Sequence, residues 1–509
     1  MKSVDQMNMV DQMNMVDHHR TSGGEKRRVL MITEGTYPHV IGGVGTWCDL
    51  LINGLDEVAW DVLPILAGVE PEARYSLPAH AHLLPAISLW SHDPAPRAKF
   101  QGFRAMRQRK SAGPADSDLP GVLTAGLLGW DEPLEPLVDA LVRCRLRPEL
   151  IRATFRSKEG WAAFLAALEK VLVVQPAAAG SPPPLGMRHA IELYQSLYWV
   201  ARTAAVGTPA SDLVHVTAAG WSMIPAVIDK ALAGTPVLLT EHGVYVREAY
   251  LGAIRSETSP SRVFVHTRLA RGLTRLAYRT ADMVVPVTAA NCWWEDALGV
   301  APERIRVIHN GVHVPDHATP PPRTATVVSV GRVDPLKDVH TLLRVAHEVL
   351  RRFPDARFLH YGPVVPAQEA YAESCYALHR ELRLGDRFRF MGATKTPASV
   401  VLDADIAVLT SISEGFPLAV LEAMALSRPV VSTVVGGVSE GLQGGGLVAP
   451  SRDVHGLATA IVTLLKDPEL AESLGQRGRR RVIRRFTLER CLAGYRDVMD
   501  ELILQQRVS

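Results

Sequence analysis

Short uninterrupted blocks of apolar residues recur along this chain, and most lead into a loop and then into a stretch whose apolar positions repeat every three or four residues. Blocks this short suit strands covered on both faces, and the spacing after them suits helices lying on those faces. The first block, Val29-Leu-Met-Ile-Thr33, runs into the loop Glu34 to Gly45 and then into the amphipathic segment Thr46 to Leu55. Equivalent blocks follow at Leu213 to Thr217, Pro236 to Thr240 and Met283 to Thr288. After the Pro-rich break Ala318-Thr-Pro-Pro-Pro-Arg323 a second series begins, at Thr326 to Val330, Arg357 to His360, Phe388 to Met391, Ile406 to Leu409 and Val430 to Ser432. Strand, loop and helix repeated in this way predict an α/β fold of two doubly wound, Rossmann-like domains facing a cleft.

Two stretches depart from the pattern. Between residues 92 and 190, helical segments such as Trp161 to Val174 alternate with polar and Pro-rich pieces, including Pro176 to Pro184, which predicts a helical insertion with a flexible loop. Residues 1–28 hold the hexapeptide VDQMNM twice, at Val4 to Met9 and Val10 to Met15, and no apolar block. A disordered leader or a misplaced start codon is expected there. The predicted organisation is a leader over 1–28, a first domain over 29–318 carrying the insertion, a linker over 319–324, a second domain over 325–486 and a closing segment over 487–509.

Composition narrows the function classes. A chain of 509 residues exceeds what one core usually supports, so a cleft between domains is available. Lys and Arg total 55 against 53 Asp and Glu, which leaves no global field to recruit nucleic acid or an anionic membrane. The cluster Arg477-Gly-Arg-Arg-Arg481 reads as a solvated helix face. Cys48, Cys144, Cys292, Cys375 and Cys491 are scattered without a CxxC spacing, as expected of reduced, buried thiols. No apolar run reaches the length of about 18 residues that a membrane span requires, and the N-terminus lacks the apolar core of a signal peptide, so a cytoplasmic protein is expected.

Candidate chemistry sits in the loops. Gly42-Gly-Val-Gly45 lets the backbone approach a phosphate at a helix start, although position 48 is Cys where the dinucleotide fingerprint needs glycine, and a plain tight turn reads equally well. Gly331-Arg-Val-Asp-Pro-Leu-Lys-Asp338 follows a strand and places Arg332 and Lys337 where parallel sheets bind ligands; two cations there suit a diphosphate. In Ser411-Ile-Ser-Glu-Gly-Phe-Pro-Leu-Ala-Val-Leu-Glu-Ala-Met-Ala425, Glu414 lies in a loop and Pro417 suits the first turn of the helix that follows. Glu422 comes roughly 7 to 8 Å further along that helix, and its apolar neighbours imply burial. A buried carboxylate needs a partner such as a pair of ribose hydroxyls. Thr240-Glu-His-Gly-Val-Tyr245 ends a strand of the first domain and puts Glu241 and His242 at the edge of the same cleft. Asp403-Ala-Asp405 precedes its strand and Asp116-Ser-Asp118 lies in the insertion, so neither reads as a metal site.

Together these segments resemble the GT-B retaining glycosyltransferase family 4: the glycine loop, the GRxxxxKD run at 331 to 338, Val307-Ile-His-Asn-Gly-Val312 and the E-x7-E pair at 414 and 422. Glu34-Gly-Thr-Tyr-Pro38, Gly42 to Trp47 and Thr240 to Tyr245 resemble more narrowly the Pel exopolysaccharide glycosyltransferase subfamily. The resemblance implies transfer of a hexosyl unit from a nucleotide-diphosphate sugar, UDP-linked as in UDP-glucose, to a carbohydrate or lipid-linked acceptor. It implies no cofactor or metal, retention of configuration, and a place at the inner face of the membrane beside a polysaccharide synthesis complex. Arg332 and Lys337 would bind the diphosphate, Glu422 the ribose and Glu414 the donor sugar. Gly43, Gly45 and the segment Gly415, Phe416, Pro417 and Leu418 would complete the donor site, His242 would face the reacting sugar, and the last helix, Leu488 to Leu504, would cross back onto the first domain. Pro417 replaces a glycine common in the family and removes one backbone donor. A nucleotide-sugar 2-epimerase would need acid and base carboxylates from both domains, where the sequence offers only Glu414 and Glu422. The third alternative, a non-catalytic nucleotide-binding subunit of an export complex, is disfavoured by the full set of site residues.

Overall fold

A computed structural model describes residues 26–90, 116–173, 183–255, 259–365, 368–394 and 396–508. The first domain is built on β1 (Arg27–Glu34), β2 (Val58–Leu66), β3 (Ala81–Leu83), β4 (Ile87–Ser88), β5 (Leu213–Val216), β6 (Val237–Glu241) and β7 (Met283–Pro286). Their order is β3-β2-β1-β5-β6-β7 with β4 also on β2, and every pairing is parallel. The second domain uses β8 (Thr326–Val330), β9 (Arg357–Tyr361), β10 (Phe388–Gly392), β11 (Ile406–Leu409), β12 (Val430–Thr433) and β13 (Gly446–Ala449), in the order β10-β9-β8-β11-β12-β13, again all parallel. Each sheet reverses direction once, between β1 and β5 and between β8 and β11, and doubly wound sheets bind ligands outside such switch points.

The uninterrupted apolar blocks are strands covered on both faces. Leu213, Val214 and Val216 of β5 are fully buried, each side chain contributing about 1.5–3 kcal/mol relative to exposure. Residues 1–25 of the expected leader lie outside the described residues, but Arg27 and Arg28 do not belong to a leader. They open β1, in register with Val58 and Ala59. The stretch expected as an insertion includes 91–115 and most of the Pro-rich piece, which also lie outside the described residues. Its helices Leu119–Leu128, Glu135–Leu146, Pro148–Thr154 and Lys158–Val173, with Met187–Ala204 beyond them, are one layer of the first domain. Leu123, Leu141, Phe164 and Leu197 share a core with Leu30, Ile32 and Val214 of the sheet.

The chain crosses between domains twice, and the crossings pair: Val312 N–H donates to Phe486 O and Leu488 N–H to Val312 O, both at 3.0 Å. The first crossing is fastened to the second domain by two buried side chains. Asp405 accepts from the amides of Arg323, Thr324 and Thr326 at 2.6–2.9 Å, and the Arg428 guanidinium donates to Thr319 O at 2.6 Å and Leu402 O at 2.8 Å. The helix Leu488–Val508 then packs Tyr495, Val498, Met499 and Leu502 against Trp47, Leu51 and Leu238 of the first domain.

Candidate active site

Main-chain bonds set the donor-side loops before any charge is considered. After β8, the Asp334 carboxylate accepts from Leu336 N–H at 2.8 Å and its carbonyl from Lys337 N–H at 3.0 Å, closing a tight turn. Asp338 adopts a left-handed conformation, φ 48°, which Asp tolerates better than most residues. It caps the helix Val339–Arg352 by accepting from the Thr341 amide and hydroxyl at 3.3 and 2.7 Å. Ile412 N–H donates to Leu336 O at 2.7 Å and the Thr410 hydroxyl to Lys337 O at 3.0 Å, so the loops after β8 and β11 are joined edge to edge. That joint brings Lys337 and Glu414 together. Nζ lies 2.6 Å from Oε1, and the Ser411 hydroxyl donates to the same oxygen at 2.5 Å. Arg332 stands apart at the rim, 37% exposed, with its closest acid Asp334 at 3.9 Å.

Beyond Glu414 the helix Leu418–Ala425 begins, with Pro417 as its N-cap and not inside its first turn. Among the described residues no carbonyl or side chain accepts from the amides of Gly415, Phe416, Leu418 or Ala419. Four free amides at a helix start make an anion cradle. Phe416 and Leu418 can offer only those amides, because both side chains are core: the Phe416 ring packs on Phe486 at 5.0 Å and on His309 at 4.9 Å. Glu422 is half-buried, its carboxylate has no hydrogen bond or ion pair among the described residues, and burial pushes its pKa up. Such a group gains from a ligand hydroxyl.

The first domain meets this cradle directly. A Cβ on Gly415 would lie 1.6 Å from His242 O, so only glycine allows the approach, and the Ser413 hydroxyl donates to Glu248 at 2.9 Å. His242 follows β6 with its ring 4.5 Å from Trp47 in an edge arrangement; Nε2 is enclosed without a partner, and burial pushes the imidazole down to about 3. Trp47 lies 5.3 Å from Tyr495, whose hydroxyl accepts from Thr240 at 3.2 Å; Thr240 is in turn 2.8 Å from His215 Nε2. Glu241 is not at the cleft edge. Its side chain turns behind the sheet, fully buried, bonded to the Tyr278 hydroxyl and Tyr245 N–H and set beside Glu295. Burial and the Glu241 charge push Glu295 above the ordinary carboxylate range.

A family model described as "Domain of unknown function (DUF3492)" matches residues 27–303, more than half of the chain. The chain belongs to this DUF3492 family. Residues 316–481 of this DUF3492 protein match the model "Glycosyl transferases group 1". Among curated proteins, the D-inositol 3-phosphate glycosyltransferase 2 of Catenulispora acidiphila is 33% identical over 198 residues, covering 35% of this chain and 46% of that protein. The N-acetyl-alpha-D-glucosaminyl L-malate synthase of Bacillus anthracis is 34% identical over 128 residues, 25% of this chain and 34% of that protein. The chain therefore spans half or less of the length of these relatives. Sucrose-phosphate synthase from Thermosynechococcus elongatus superimposes with a TM-score of 0.58 at 20% identity, covering 94% of this chain and all of the other. Anabaena HepE in complex with UDP and glucose gives 0.58 at 15% identity over 93% of this chain and 99% of that one. At such identities the likeness is one of fold, and the fold is GT-B.

In this DUF3492 protein the glycine loop divides in function. Gly43 begins the helix Gly43–Gly54 with open space where a side chain would be, whereas a Cβ on Gly45 would lie 2.5 Å from Val40 O and 3.3 Å from Tyr75, which makes its glycine a packing requirement. The Asp-x-Asp pairs are structural: Asp116 binds Arg143 at 2.6 Å and Asp405 holds the domain crossing. Sequence reasoning missed Ser411, which shares the Glu414 oxygen with Lys337, and a clasp across the cleft. In the clasp, Glu440 of the second domain accepts from the Thr288 hydroxyl at 2.6 Å and Ala289 N–H at 2.9 Å, and meets His309 at 2.6 Å. It missed Glu34 too, at the end of β1, which accepts from Ser222 N–H at 3.2 Å and the Tyr245 hydroxyl at 3.1 Å while burial raises its pKa. No sequence spacing signals the Glu440 and Glu34 contacts, because their members come from distant segments.

Proposed function

We propose that this chain is a retaining glycosyltransferase of family 4, transferring a hexosyl unit from a nucleotide-diphosphate sugar to a carbohydrate or lipid-linked acceptor. The observation that carries the reading is Lys337 beside Glu414 at the mouth of four free amides, facing a neutral, unbonded His242 across the cleft. The amides, Lys337 and the side chain of Arg332 neutralise the leaving diphosphate, which is where negative charge develops. Glu422 takes the ribose hydroxyls, Glu414 a donor-sugar hydroxyl, and His242 the reacting sugar through Nε2. Retention follows from same-face attack, with the departing diphosphate taking the acceptor proton. The protein groups supply the charge neutralisation, and the reading includes no metal. UDP is favoured as the nucleotide because the fold neighbour HepE binds UDP and glucose, and the Pel-like N-terminal segments favour exopolysaccharide assembly at the membrane face. Among the described residues no helix is long and apolar enough to cross a membrane.

A hydrolysis screen with UDP-glucose, UDP-N-acetylglucosamine and GDP-mannose tests the reading. Nucleoside diphosphate should be released from one of them, with or without EDTA. Release from none by a folded chain defeats the transferase reading, and release abolished by EDTA but restored by magnesium defeats its metal-free part.

A further inference from the structure

The helix Pro260–Thr280 carries a row of arginines along the first domain, and most have evident structural partners. Arg262 pairs with Glu192 at 2.7 Å, and Arg275 donates to the carbonyls of Gly126 and Glu132 at 2.7 and 2.9 Å. Arg271 donates to Trp130 O at 3.1 Å and lays its guanidinium 3.8 Å above the Trp130 ring. Arg268 differs from all of these. Only 6% of it is exposed, its three guanidinium nitrogens are enclosed, and none makes a hydrogen bond to the described residues. Its guanidinium carbon lies 4.8 Å from the same Trp130 ring and 5.4 Å from Phe264.

Ring contacts do not satisfy such a group. They engage the flat face of the guanidinium, while its five N–H donors point outward in the plane and still require acceptors. Burying an ionised group without them is costly, and placing a second cation on the same indole adds repulsion. Burial and then the neighbouring Arg271 oppose the charge of Arg268; Tyr250 lies close to both arginines, and Asp131 lies close to Arg271. Among the described residues neither Arg268 nor Arg271 has a carboxylate within ion-pair distance. The missing component is negative and planar or tetrahedral in its oxygens, the shape that a guanidinium fork grips in bidentate fashion.

We propose that Arg268 and Arg271, with Trp130 beneath them and Tyr250 beside them, form an oxyanion site that takes a phosphate or a sugar carboxylate. The site is separate from the Lys337 and Glu414 cradle. Its neighbour, the helix Tyr245–Arg255, starts where Tyr245 bonds to Glu34 at the carboxyl edge of the sheet, and Tyr250 stands roughly 7.5 Å further along. Glu248 of the same helix touches the donor loop through Ser413. An anion on the acceptor therefore fits the location. That last attribution rests on the transferase reading, whereas the anion site itself does not.

The test uses the full chain carrying Lys337→Ala, so that the donor cradle does not report. Inorganic phosphate and, in a separate arm, D-glucuronate are titrated while tryptophan fluorescence and Tm are followed. A saturable response is expected, weakened about tenfold by Arg268→Met, which keeps an apolar stem on Trp130 and Phe264 while removing the fork. Tighter binding of phosphate assigns a phosphorylated ligand, and tighter binding of glucuronate a uronic acid. A response that never saturates in either arm, or one with the same midpoint in Arg268→Met, overturns the proposal. Should Arg268→Met not fold, Arg268→Lys replaces it: the charge stays, the fork is lost, and an unchanged midpoint is again decisive against the site. Nucleoside diphosphate release is measured separately on the unsubstituted chain. Its absence would strike the transferase reading and leave a phosphate response standing.

Discussion

On the C-terminal side of the cleft a cation and a carboxylate are held 2.6 Å apart beside four amides with nothing among the described residues to donate to, whereas in the N-terminal domain His242 at the cleft and Glu34 at the end of β1 are both pushed toward their neutral forms. The contrast follows from where each group sits. Lys337 and Glu414 lie in loops beyond the strand ends, where each meets the other's opposite charge, while the N-terminal groups end or underlie strands that are covered on both faces. A site split in this way matches a reaction in which charge develops on a diphosphate at one wall and a sugar must be kept from water at the other. Removing the charged wall is the strongest way to break the comparison. Lys337→Ala should lower donor turnover by about 10²–10³-fold, the range for deleting one preorganised charge-stabilising donor, with little change in Tm. A loss below tenfold, measured as nucleoside diphosphate release, would mean that the cradle amides act without it.

The two walls are tied together by Glu440, and acid should loosen that tie. Hydrogen bonds from His309, Thr288 and Ala289 overcome the burial cost and hold its carboxyl down at about 2, against an ordinary value of 4.5. A depressed carboxylate contributes stability that is present above its unfolded pKa and is lost as pH falls. The window here runs from about pH 4.5 down to about pH 2. Glu440→Gln should cost about 2–3 kcal/mol at pH 7, and its unfolding curve should converge on that of the parent protein near pH 2. Denaturant titrations at both pH values check this; a constant difference across the window would show that the carboxylate charge is not what holds the domains.

How much of this was open to sequence reading depended on whether the signal was local. β5, β8, β11 and β12 were legible because covering both faces of a parallel strand demands an unbroken apolar run, as in Val327-Val328 and Val430-Val431. β2 was not, since Asp61 and Pro64 interrupt its run, nor was β13, a short edge strand that begins with Gly446 and leaves Val448 half exposed. Lys337 and Glu414 were legible as loop residues after strands, but their contact depends on the Ile412 to Leu336 bond between two loops far apart in sequence. Glu241 misled because adjacent residues at a strand end point to opposite faces. With His242 turned toward the cleft, Glu241 had to turn inward.

Glu422 sharpens the comparison from the charged side. Its carboxylate is the one acid on that wall in the described residues that burial raises and nothing pairs, and on the proposed reading it accepts from the ligand. Glu422→Gln should raise KM for the nucleotide sugar about tenfold, the equivalent of one or two hydrogen bonds from an ionised acceptor, with kcat nearly unchanged. An equal fall in kcat would move Glu422 from binding to the chemical step.

The smallest effect tests whether the neutral wall is positioned from a distance. Tyr495 comes from the last helix of the chain, yet it packs on Trp47, which packs on His242, and it accepts the Thr240 hydroxyl in the strand that ends beside that histidine. Tyr495→Phe keeps the ring and removes only the acceptor, for a stability cost of about 1 kcal/mol. If the stack holds His242 in its working orientation, kcat should fall a few-fold while donor KM stays constant, because on the proposed reading His242 meets the reacting sugar and not the nucleotide. A loss in Tm with unchanged kcat would make Tyr495 part of the scaffold alone, and would leave the Trp47 ring to hold His242.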